Sequence, residues 1–236
     1  MRYWARGEAS IIEAELASLD GRPWRGFRPG LTTAGTTERV IEIPWILSRY
    51  AGEGRVLDVG TAYAVPAYVR GLRRLGIPEL IGVDLLQAAI PGVAMYQADV
   101  RQLPFQDGFF ELAFCVSTLE HIGCDNSGWG IENGVDADGD LKALRELRRV
   151  LRDDGRLLVT VPFGKPRHYD WFKQYDLESW NGLVGQAGMT PVELAFFGYG
   201  PHGWARADDA RALEAADYGA MGAQGATALL CAELRR

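Results

Sequence analysis

The stretch RVLDVGTAYA, residues 55–64, decides the fold of this chain. It begins with a run of β-forming residues that is too short for a helix: Val56, Leu57 and Val59. Asp58 lies near the end of this predicted strand, and Gly60 permits a tight turn with close approach of a ligand. The helix predicted next, near 65–75, would point its N-terminal N–H groups at that ligand. Because open parallel sheets bind ligands at the carboxyl ends of their strands, the stretch predicts a nucleotide-type cofactor site.

From residue 55 onward, short apolar strands alternate with helices, which predicts a parallel sheet covered on both faces. The strands are predicted near 55–59, 80–84, 93–97, 111–116 and 156–162. The helices are predicted near 65–75, 86–90 and 140–151.

After residue 162 the pattern is less regular. The segment FGKPRHYDWFKQ, 163–174, is an aromatic and charged insertion. A helix capped by Asp176, a strand over 189–197 and a last, antiparallel strand over 227–234 are predicted to follow. The segment 202–222 is predicted to be helix or loop.

Residues 1–50 form a separate front piece in this prediction, and residues 51–236 form the main domain. Apolar residues at helical spacing predict two helices in the front piece, over 10–19 and 38–50. The intervening loop is rich in Gly, Pro, Thr and Arg, and its end, Leu31 to Thr37, is expected to close over the site. We therefore expect a helical N-terminal cap or lid.

The composition excludes several classes of protein. The net charge of the 236 residues is −6, which argues against a basic surface for nucleic acid. No apolar run approaches the roughly 20 residues that cross a membrane. The N-terminus has acidic residues where a signal peptide needs an apolar core. The three cysteines have no metal-ligand spacing, and free thiols fit a reducing compartment. Together, these observations predict a cytoplasmic protein without nucleic-acid or membrane partners. The oligomeric state stays open, with a homodimer as one option.

Polar residues recur where successive predicted strands end. Asp58 precedes the glycine turn, Asp84 ends the second strand, and Asp99 follows the third. A carboxylate a little over 20 residues after such a turn commonly binds a ribose diol. The segment after the fourth strand contributes Ser117, Glu120 and His121. One acid at a strand end is a weak signal, but a series of them in chain order predicts one shared site.

These motifs resemble those of class I S-adenosylmethionine-dependent methyltransferases. The resemblance covers roughly residues 54–198 and rests on DVGTAYA, on Asp84, and on ADVRQLPFQDGFFELAF, STLEHIG and LRELRRVLRDDGRLLVTVPFG. It implies an α/β fold: a Rossmann-like, doubly wound seven-stranded sheet, mostly parallel with an antiparallel last strand. It also implies S-adenosylmethionine as the cofactor and a small-molecule acceptor.

The resemblance implies a role for each matching residue. Asp58, Gly60 and Thr61 would hold the amino-acid end of the cofactor. The ribose and the adenine would be bound by the following set: Asp84 on the ribose hydroxyls, Leu85 on the adenine face, and Asp99 with Val100 on the adenine edge. Ser117 would contact the cofactor from the fourth strand. The chain departs from the family at Ala62 and Ala64, where glycine is usual.

His121 is the predicted general base, because it follows the fourth strand at the rim of the sheet. The alternative is that Glu120 and His121 only shape the pocket wall. His168 could instead reach the acceptor from a lid, and His202 is equally open. The candidate acceptor residues are Glu120, His168, Tyr169, Trp171 and His202, on loops near 123–140, 163–175 and 198–225.

The segment DADGD, 136–140, resembles part of a calcium loop but lacks the closing glutamate. We therefore predict no metal, and expect a mobile acceptor loop in which Asp140 caps the next helix.

The sequence thus predicts a methyltransferase for a small molecule. Similar sequences with EHIG are associated with carbohydrate and natural-product modification, which favours O-methylation of a sugar or a glycosylated natural product. Two alternatives remain. One is an NAD-dependent oxidoreductase, although the G-x-G-x-x-G fingerprint is absent. The other is a S-adenosylmethionine-binding domain that has lost catalysis, which the two alanines motivate.

Overall fold

A computed structural model describes residues 7–19, 21–28, 30–132 and 134–236. Parts of the predicted cap and of the 123–140 loop lie outside these ranges. The first strands are β1 (Arg55–Val59), β2 (Glu79–Asp84), β3 (Ala94–Gln97), β4 (Phe110–Val116) and β5 (Leu151–Pro162). They are followed by β6 (Arg167–Tyr169), β7 (Phe172–Gln174), β8 (Thr190–Gly200), β9 (Gly203–Ala207) and β10 (Ala228–Arg235).

Eight of these strands form one sheet in the order β3-β2-β1-β4-β5-β10-β8-β9. The five strands from β3 to β5 run parallel. β10 is antiparallel to both β5 and β8, and β9 is antiparallel to β8. The predicted mostly parallel α/β sheet with an antiparallel last strand is therefore confirmed.

The predicted number of seven strands is wrong, because β9 is an eighth. It forms a hairpin with β8 in which Gly200 pairs with Gly203. The segment 202–222 was predicted as helix or loop, since its glycines and its Pro-His turn interrupt the alternation that marks a strand. β10 lies between β5 and β8 in the sheet, and β9 forms the edge beyond β8.

Helices cover both faces of the sheet. They are α1 (Glu8–Ala17), α2 (Arg39–Leu47), α3 (Pro66–Arg74), α4 (Gly139–Val150) and α5 (Leu177–Ala187). α4 and α5 pack their apolar stripes on one face, and α1, α2 and α3 pack on the other. Asp176 caps α5 as predicted, since its side chain accepts a hydrogen bond from the Ser179 N–H at 2.8 Å. Among the described helices, none has the length and apolar character needed to cross a bilayer.

One local prediction is wrong. Residues 86–90 form a bend and an irregular segment rather than a helix, and Pro91-Gly92 directly follows them. The insertion 163–174 contains a two-stranded hairpin, β6–β7, in which His168 pairs with Lys173. This hairpin is separate from the main sheet.

The front piece packs on the sheet. Every residue of α2 from Val40 to Leu47 is buried, and all of these except Glu42 and Pro44 belong to one apolar cluster with side chains of β1, β4 and β5. The loop after α1 lies against the β8–β9 hairpin, where the Gly35 N–H donates to the Tyr199 hydroxyl at 2.7 Å. The Trp204 N–H donates to the Thr33 hydroxyl at 2.6 Å. This packing fixes the start of α2 beside the carboxyl ends of the strands.

Candidate active site

A cavity of about 190 Å³ opens at the carboxyl ends of β1 and β4, where the strand order reverses. Such a reversal creates a crevice because the connections on its two sides leave in opposite directions. The lining includes seven predicted site residues: Gly60, Asp84, Leu85, Asp99, Val100, Ser117 and His121. A smaller cavity of about 80 Å³ adjoins it and is lined by Asp58. We call the turns after β1, β2 and β3 the cofactor wall.

Asp84 organises the turn after β1. Its Oδ2 accepts the Ala62 N–H at 2.9 Å, and its Oδ1 accepts the Leu86 N–H at 3.0 Å. Gly60 has φ of 80°, and its N–H donates to the Val83 carbonyl at 2.9 Å. A Cβ on Gly60 would overlap the Thr118 side chain, so only glycine fits here. The turn and the second strand end are thus one hydrogen-bonded unit.

The two alanines that depart from the family pattern do not strain this turn. Ala64 has φ of −57° and ψ of 137°, which any residue adopts. Ala62 lies in a single 3₁₀ turn, Thr61–Tyr63, and is absent from the described non-glycine residues with positive φ. The backbone path therefore needs glycine at position 60 and not at 62 or 64.

Asp58 is buried, and only one of its two carboxyl oxygens has a hydrogen-bond partner among the described residues. Its Oδ1 accepts the Tyr68 hydroxyl at 2.6 Å, while Oδ2 has no hydrogen-bond partner among the described residues. Burial raises the pKa of Asp58 to about 7, although the Tyr68 and Thr61 hydroxyls act against this rise. Thr61 itself donates to the Asp58 backbone carbonyl at 2.8 Å and supports the turn from below. An unpartnered carboxylate oxygen beside a small cavity suits a cationic group of a ligand.

Asp99 and Val100 line the larger cavity together with Leu85, whereas Asp58 lines only the smaller one. Asp99 forms an ion pair with Arg101, whose Nη2 lies 2.6 Å from Asp99 Oδ2. Burial would raise the pKa of Asp99, but the hydrogen bonds from Arg101 outweigh it and lower the pKa. Asp99 is thus held ionised as an acceptor.

Arg39 is a site residue that the sequence reasoning missed. It lies in the first turn of α2, lines both cavities, and forms an ion pair with Glu42. Glu42 is fully buried and also accepts the Thr160 hydroxyl at 2.8 Å and the Ser117 hydroxyl. A charged pair three residues apart in the otherwise apolar RVIEIPWIL was the available signal.

Ser117 follows β4 as predicted and has φ of 41°, which is uncommon for a residue other than glycine. Its N–H donates to the Thr160 carbonyl at 3.2 Å, and its hydroxyl is engaged by Glu42. Ser117 therefore ties the end of β4 to α2 while it lines the cavity.

His121 lies in the short 3₁₀ turn after β4, Leu119–His121, and faces the cavity. Its Nδ1 lies 2.9 Å from the Trp171 carbonyl, and its ring stacks on the Trp171 ring at 5.4 Å between centroids. Because a carbonyl only accepts, Nδ1 carries the proton in the tautomer assigned from this contact. Burial, with a smaller contribution from nearby Arg39, lowers the pKa of His121 to about 4, although the hydrogen bond to the Trp171 carbonyl acts against this shift. The imidazole is therefore neutral at pH 7, with Nε2 open as an acceptor.

Aromatic side chains from distant segments surround His121. Tyr218 lies 4.5 Å from Phe172 and 6.2 Å from Trp171 between ring centroids. Tyr169 stacks on Phe172 at 4.5 Å. We call this region the acceptor wall; it comprises Glu38 and Arg39 of α2, Glu120, His121, the hairpin rings and Tyr218, and of these Arg39 and His121 line the cavity. Tyr218 and Glu38 were missed, because nothing local in sequence links them to the motifs.

Two further residues that the sequence reasoning missed are aromatic and lie at the mouth of the cavity. Tyr63 and Trp129 both line it, and about half of each side chain is exposed. The Tyr63 hydroxyl donates to the Trp129 carbonyl at 3.1 Å, and the rings meet edge to face at 5.5 Å. The 123–140 loop is thus connected to the turn after β1.

The other two histidines lie elsewhere. His168 Nε2 is 3.4 Å from the Cys124 Sγ, and it lines an open groove beside α4 and α5 rather than the cavity. His202 is exposed in the β8–β9 turn, where its carbonyl accepts the Thr33 N–H at 3.3 Å. Neither is brought to His121, and their predicted acceptor roles remain untested predictions.

In the acidic segment 136–140, Asp136 and Asp140 form ion pairs. Asp136 pairs with Lys142 at 2.8 Å and with Arg101 at 3.2 Å. The prediction that Asp140 caps the next helix is wrong, because α4 starts at Gly139 and Asp140 instead accepts from Lys173 and the Tyr175 hydroxyl. Within the described ranges, no group of three or more His, Cys, Asp or Glu side chains could hold a metal ion.

Known proteins match the part of the chain that builds the cofactor wall. The family model described as "Methyltransferase domain" matches residues 57–159. The ubiquinone/menaquinone biosynthesis C-methyltransferase UbiE of Hahella chejuensis is 38% identical over 107 residues, which are 45% of this chain and 36% of that protein. The chain therefore spans about a third of the length of this relative.

Solved structures share the fold. The 1,6-didemethyltoxoflavin-N1-methyltransferase of Burkholderia thailandensis, with bound S-adenosylhomocysteine, matches with a TM-score of 0.51 and 16% identity over 98% of this chain and 77% of that one. The [4+2]-cyclase SpnF matches with a TM-score of 0.54 and 18% identity over 82% of this chain and 77% of that one.

Together, the family match and the strand-end site show that this chain contains a class I methyltransferase domain. The matched residues include the strand-end motifs from which the sequence predicts S-adenosylmethionine as the cofactor. The cavity fits such a cofactor, because the unpartnered Asp58 Oδ2 suits an ammonium group and the Gly60 turn leaves room for a ligand. The acceptor wall, by contrast, draws on residues outside the matched 57–159.

Proposed function

We propose that this chain transfers a methyl group from S-adenosylmethionine to a hydroxyl of a small-molecule acceptor, a sugar or a glycosylated natural product. The position of His121 carries this proposal. A neutral imidazole, oriented by the Trp171 carbonyl and open at Nε2, lies in the cavity beside the cofactor wall. A hydroxyl is a weak nucleophile until its proton is removed, so a neutral base at this place supports a hydroxyl as the methyl acceptor.

The proposed chemistry follows from these positions. When bound, the cofactor would supply an electrophilic methyl group; its S–CH₃ bond would break as the O–CH₃ bond forms, and S-adenosylhomocysteine would leave as a neutral thioether. His121 Nε2 takes the hydroxyl proton as the acceptor oxygen forms its bond to the methyl carbon. The Nδ1–H bond to the Trp171 carbonyl at 2.9 Å keeps the ring oriented and stabilises the imidazolium that forms. The surrounding rings exclude water from the transfer.

The cofactor wall would hold the cofactor through groups of matching chemistry. Asp58 Oδ2 would accept from the ammonium group, and Arg39 would bind the carboxylate. Asp84 would accept from the ribose hydroxyls, since each carboxylate oxygen has a second lone pair beyond its one backbone contact. Leu85 and Val100 would contact the adenine ring, with Asp99 at its edge.

The acceptor wall supports a ring-shaped acceptor. Trp171 stacks on His121, and the buried Phe172 packs against both Trp171 and Tyr218, which keep part of their surface exposed. Aromatic faces bind the apolar face of a sugar or an aromatic ring, and a few polar groups then set its orientation. The hairpin and Tyr218 lie outside the family match, so the acceptor need not be that of the matching C-methyltransferases.

The test is a methyl-transfer assay with labelled S-adenosylmethionine and a panel of sugars and glycosylated phenols. Products are located by mass spectrometry and NMR, and we expect an O-methyl ether. Transfer to carbon, or to none of the hydroxyl acceptors, contradicts the proposal. Calorimetry with S-adenosylhomocysteine and with NAD separates the oxidoreductase alternative, which requires tight binding of NAD alone. Tight S-adenosylhomocysteine binding without any transfer favours the inactive-domain alternative.

A further inference from the structure

Glu120 is a buried carboxyl group beside the proposed base. Only 2% of it is exposed, and its Oε1 lies 3.8 Å from His121 Nε2. Its Oε2 has no hydrogen-bond partner in the part of the chain that the structure describes. Leaving a buried carboxyl oxygen unpaired costs free energy, so such a group marks either strain or an absent partner.

Glu38, at the start of α2, has the same property. Its Oε2 is buried and unpartnered among the described residues. Gly225 lies against this oxygen, and a Cβ there would collide with it, so glycine makes the space that the carboxyl occupies. Two segments nearly 190 residues apart in sequence are therefore fitted around this one carboxyl group.

The charges near these two groups do not balance. Glu42 and Arg39 act on both, Glu8 acts on Glu38, and Glu38 acts on Glu120. Arg39 is the cation of this set and already forms an ion pair with Glu42. Burial raises the pKa of Glu38 to about 7, and it raises the pKa of Glu120 well above its usual range. A cationic ligand would return both carboxyls to their ionised form.

Aromatic rings complete the surroundings of these carboxyls. Glu38 and Glu120 both raise the pKa of the Tyr218 hydroxyl, after the larger effect of its burial. Tyr218 packs on Phe172 at 4.5 Å and on Trp171 at 6.2 Å. Aromatic faces attract cations through the quadrupole of the ring, and ammonium groups are often held between such faces and carboxylates.

We propose that the acceptor carries a protonated amine next to the hydroxyl that is methylated, and that Glu120 and Glu38 bind this ammonium group. The inference rests on the proposed function and names its substrate class: an amino sugar rather than a neutral sugar. The hydroxyl donates to His121 Nε2, while the ammonium donates to the carboxyl oxygens that lack partners. The 3.8 Å between Glu120 Oε1 and His121 Nε2 puts this carboxyl group within reach of a second polar group on the same small acceptor.

The test compares matched ligands on the protein saturated with S-adenosylhomocysteine. The probes are methyl glucoside and its four analogues in which one hydroxyl, at C2, C3, C4 or C6, is replaced by an amine. We expect at least one amino analogue to bind about tenfold or more tightly than methyl glucoside, as measured by calorimetry. Equal binding of all five probes, or no binding of any amino analogue, overturns the inference.

Variants identify the carboxyls responsible. Glu120→Gln and Glu38→Gln keep the shape of the side chain and remove its charge, and each should reduce the preference for the amine about tenfold. Glu178→Gln on α5 is the matched control, because it removes an exposed carboxylate far from the cavity lining. Unchanged S-adenosylhomocysteine affinity shows that a variant is folded. An amine preference that survives in both variants overturns the assignment.

The transfer assay distinguishes this inference from the proposed function. O-methylation of neutral sugars at the same kcat/KM as their amino analogues sinks the amine inference and leaves the proposed function standing. Tight, Glu120-dependent binding of an amino sugar without O-methylation sinks the proposed function and leaves the ammonium site standing.

Discussion

The two walls of the cavity are built by different means. On the cofactor wall, polar groups are placed by neighbours in sequence, as when Asp84 accepts the N–H groups of Ala62 and Leu86. On the acceptor wall, the groups come from segments far apart in the chain, such as Glu120 beside the β6–β7 hairpin and Tyr218. Asp84 has both oxygens satisfied, whereas Glu120 has one without a partner among the described residues. One wall is a local motif, and the other exists only after folding.

The largest effect should come from the acceptor wall. If His121 is the base, His121→Asn lowers kcat by about 10²- to 10⁴-fold, because proton transfer to a positioned base contributes that much. S-adenosylhomocysteine affinity should stay within about twofold, since the amide keeps a polar group near the Trp171 carbonyl. Steady-state kinetics and calorimetry measure the two quantities.

His168→Asn is the matched control for this prediction, because His168 lies outside the cavity lining beside Cys124. It should keep kcat within about twofold of the unaltered enzyme. If His121→Asn keeps normal turnover, or if His168→Asn is the variant that loses it, the base has been assigned to the wrong histidine.

The difference between the walls also explains what the sequence could predict. The positions of strands β1 to β5 along the chain, the acids at their ends and the expected cofactor followed from residues 55–64 and the later motifs, because each depends on short-range patterning. The confirmed capping of α5 by Asp176 is equally local. These features need only the neighbouring residues to be recognised.

What the sequence could not predict depends on tertiary packing. β9 was missed because glycine and proline at the hairpin turn interrupt its alternating pattern. The helix predicted at 86–90 does not form, and Pro91 directly follows this segment. Arg39 and Glu38 reach the site only because α2 packs on the sheet, and Tyr218 because its loop returns to the hairpin. Asp140 shows the same limit, since its partners Lys173 and Tyr175 are over 30 residues away and displace the expected cap.

Next in size is the loss of the carboxylate that links two strand ends. Asp84→Ala removes two acceptors for backbone N–H groups and the proposed ribose contact. We expect S-adenosylhomocysteine affinity to fall by about 10- to 100-fold, as for the loss of hydrogen bonds to a charged group. Circular dichroism should show an intact fold. Unchanged S-adenosylhomocysteine affinity would show that Asp84 does not contribute to cofactor binding.

The cofactor wall also predicts a dependence on pH. Burial raises the pKa of Asp58 to about 7, and the proposed ammonium contact needs the ionised form. Ligand binding then has to remove a proton below this pKa, so affinity falls as the pH drops through about 7 and levels off above it. From about pH 8 to about pH 6, S-adenosylhomocysteine affinity should fall roughly tenfold.

Asp58→Asn should bind more weakly at high pH and lose this dependence, while Glu38→Gln should retain it. That second variant is the necessary control, because burial raises the pKa of Glu38 to about 7 as well. A pH dependence that disappears in Glu38→Gln, and persists in Asp58→Asn, would transfer the ammonium contact from the cofactor wall to the acceptor wall.

The smallest effect tests whether the cofactor wall is set by its backbone alone. Ala62 contributes its N–H to Asp84, and this bond remains in Ala62→Gly. We expect affinity within about twofold and a loss of unfolding free energy of about 0.5–1 kcal/mol, because glycine is more flexible in the unfolded chain. Gly60→Ala is the contrasting change: at φ of 80°, with Thr118 against the new methyl group, it should cost about 1–3 kcal/mol and weaken binding. Urea denaturation and calorimetry measure both. A tenfold gain in affinity from Ala62→Gly would mean that the alanine methyl group crowds the cofactor, and the turn would then differ from the family pattern in function as well as in sequence.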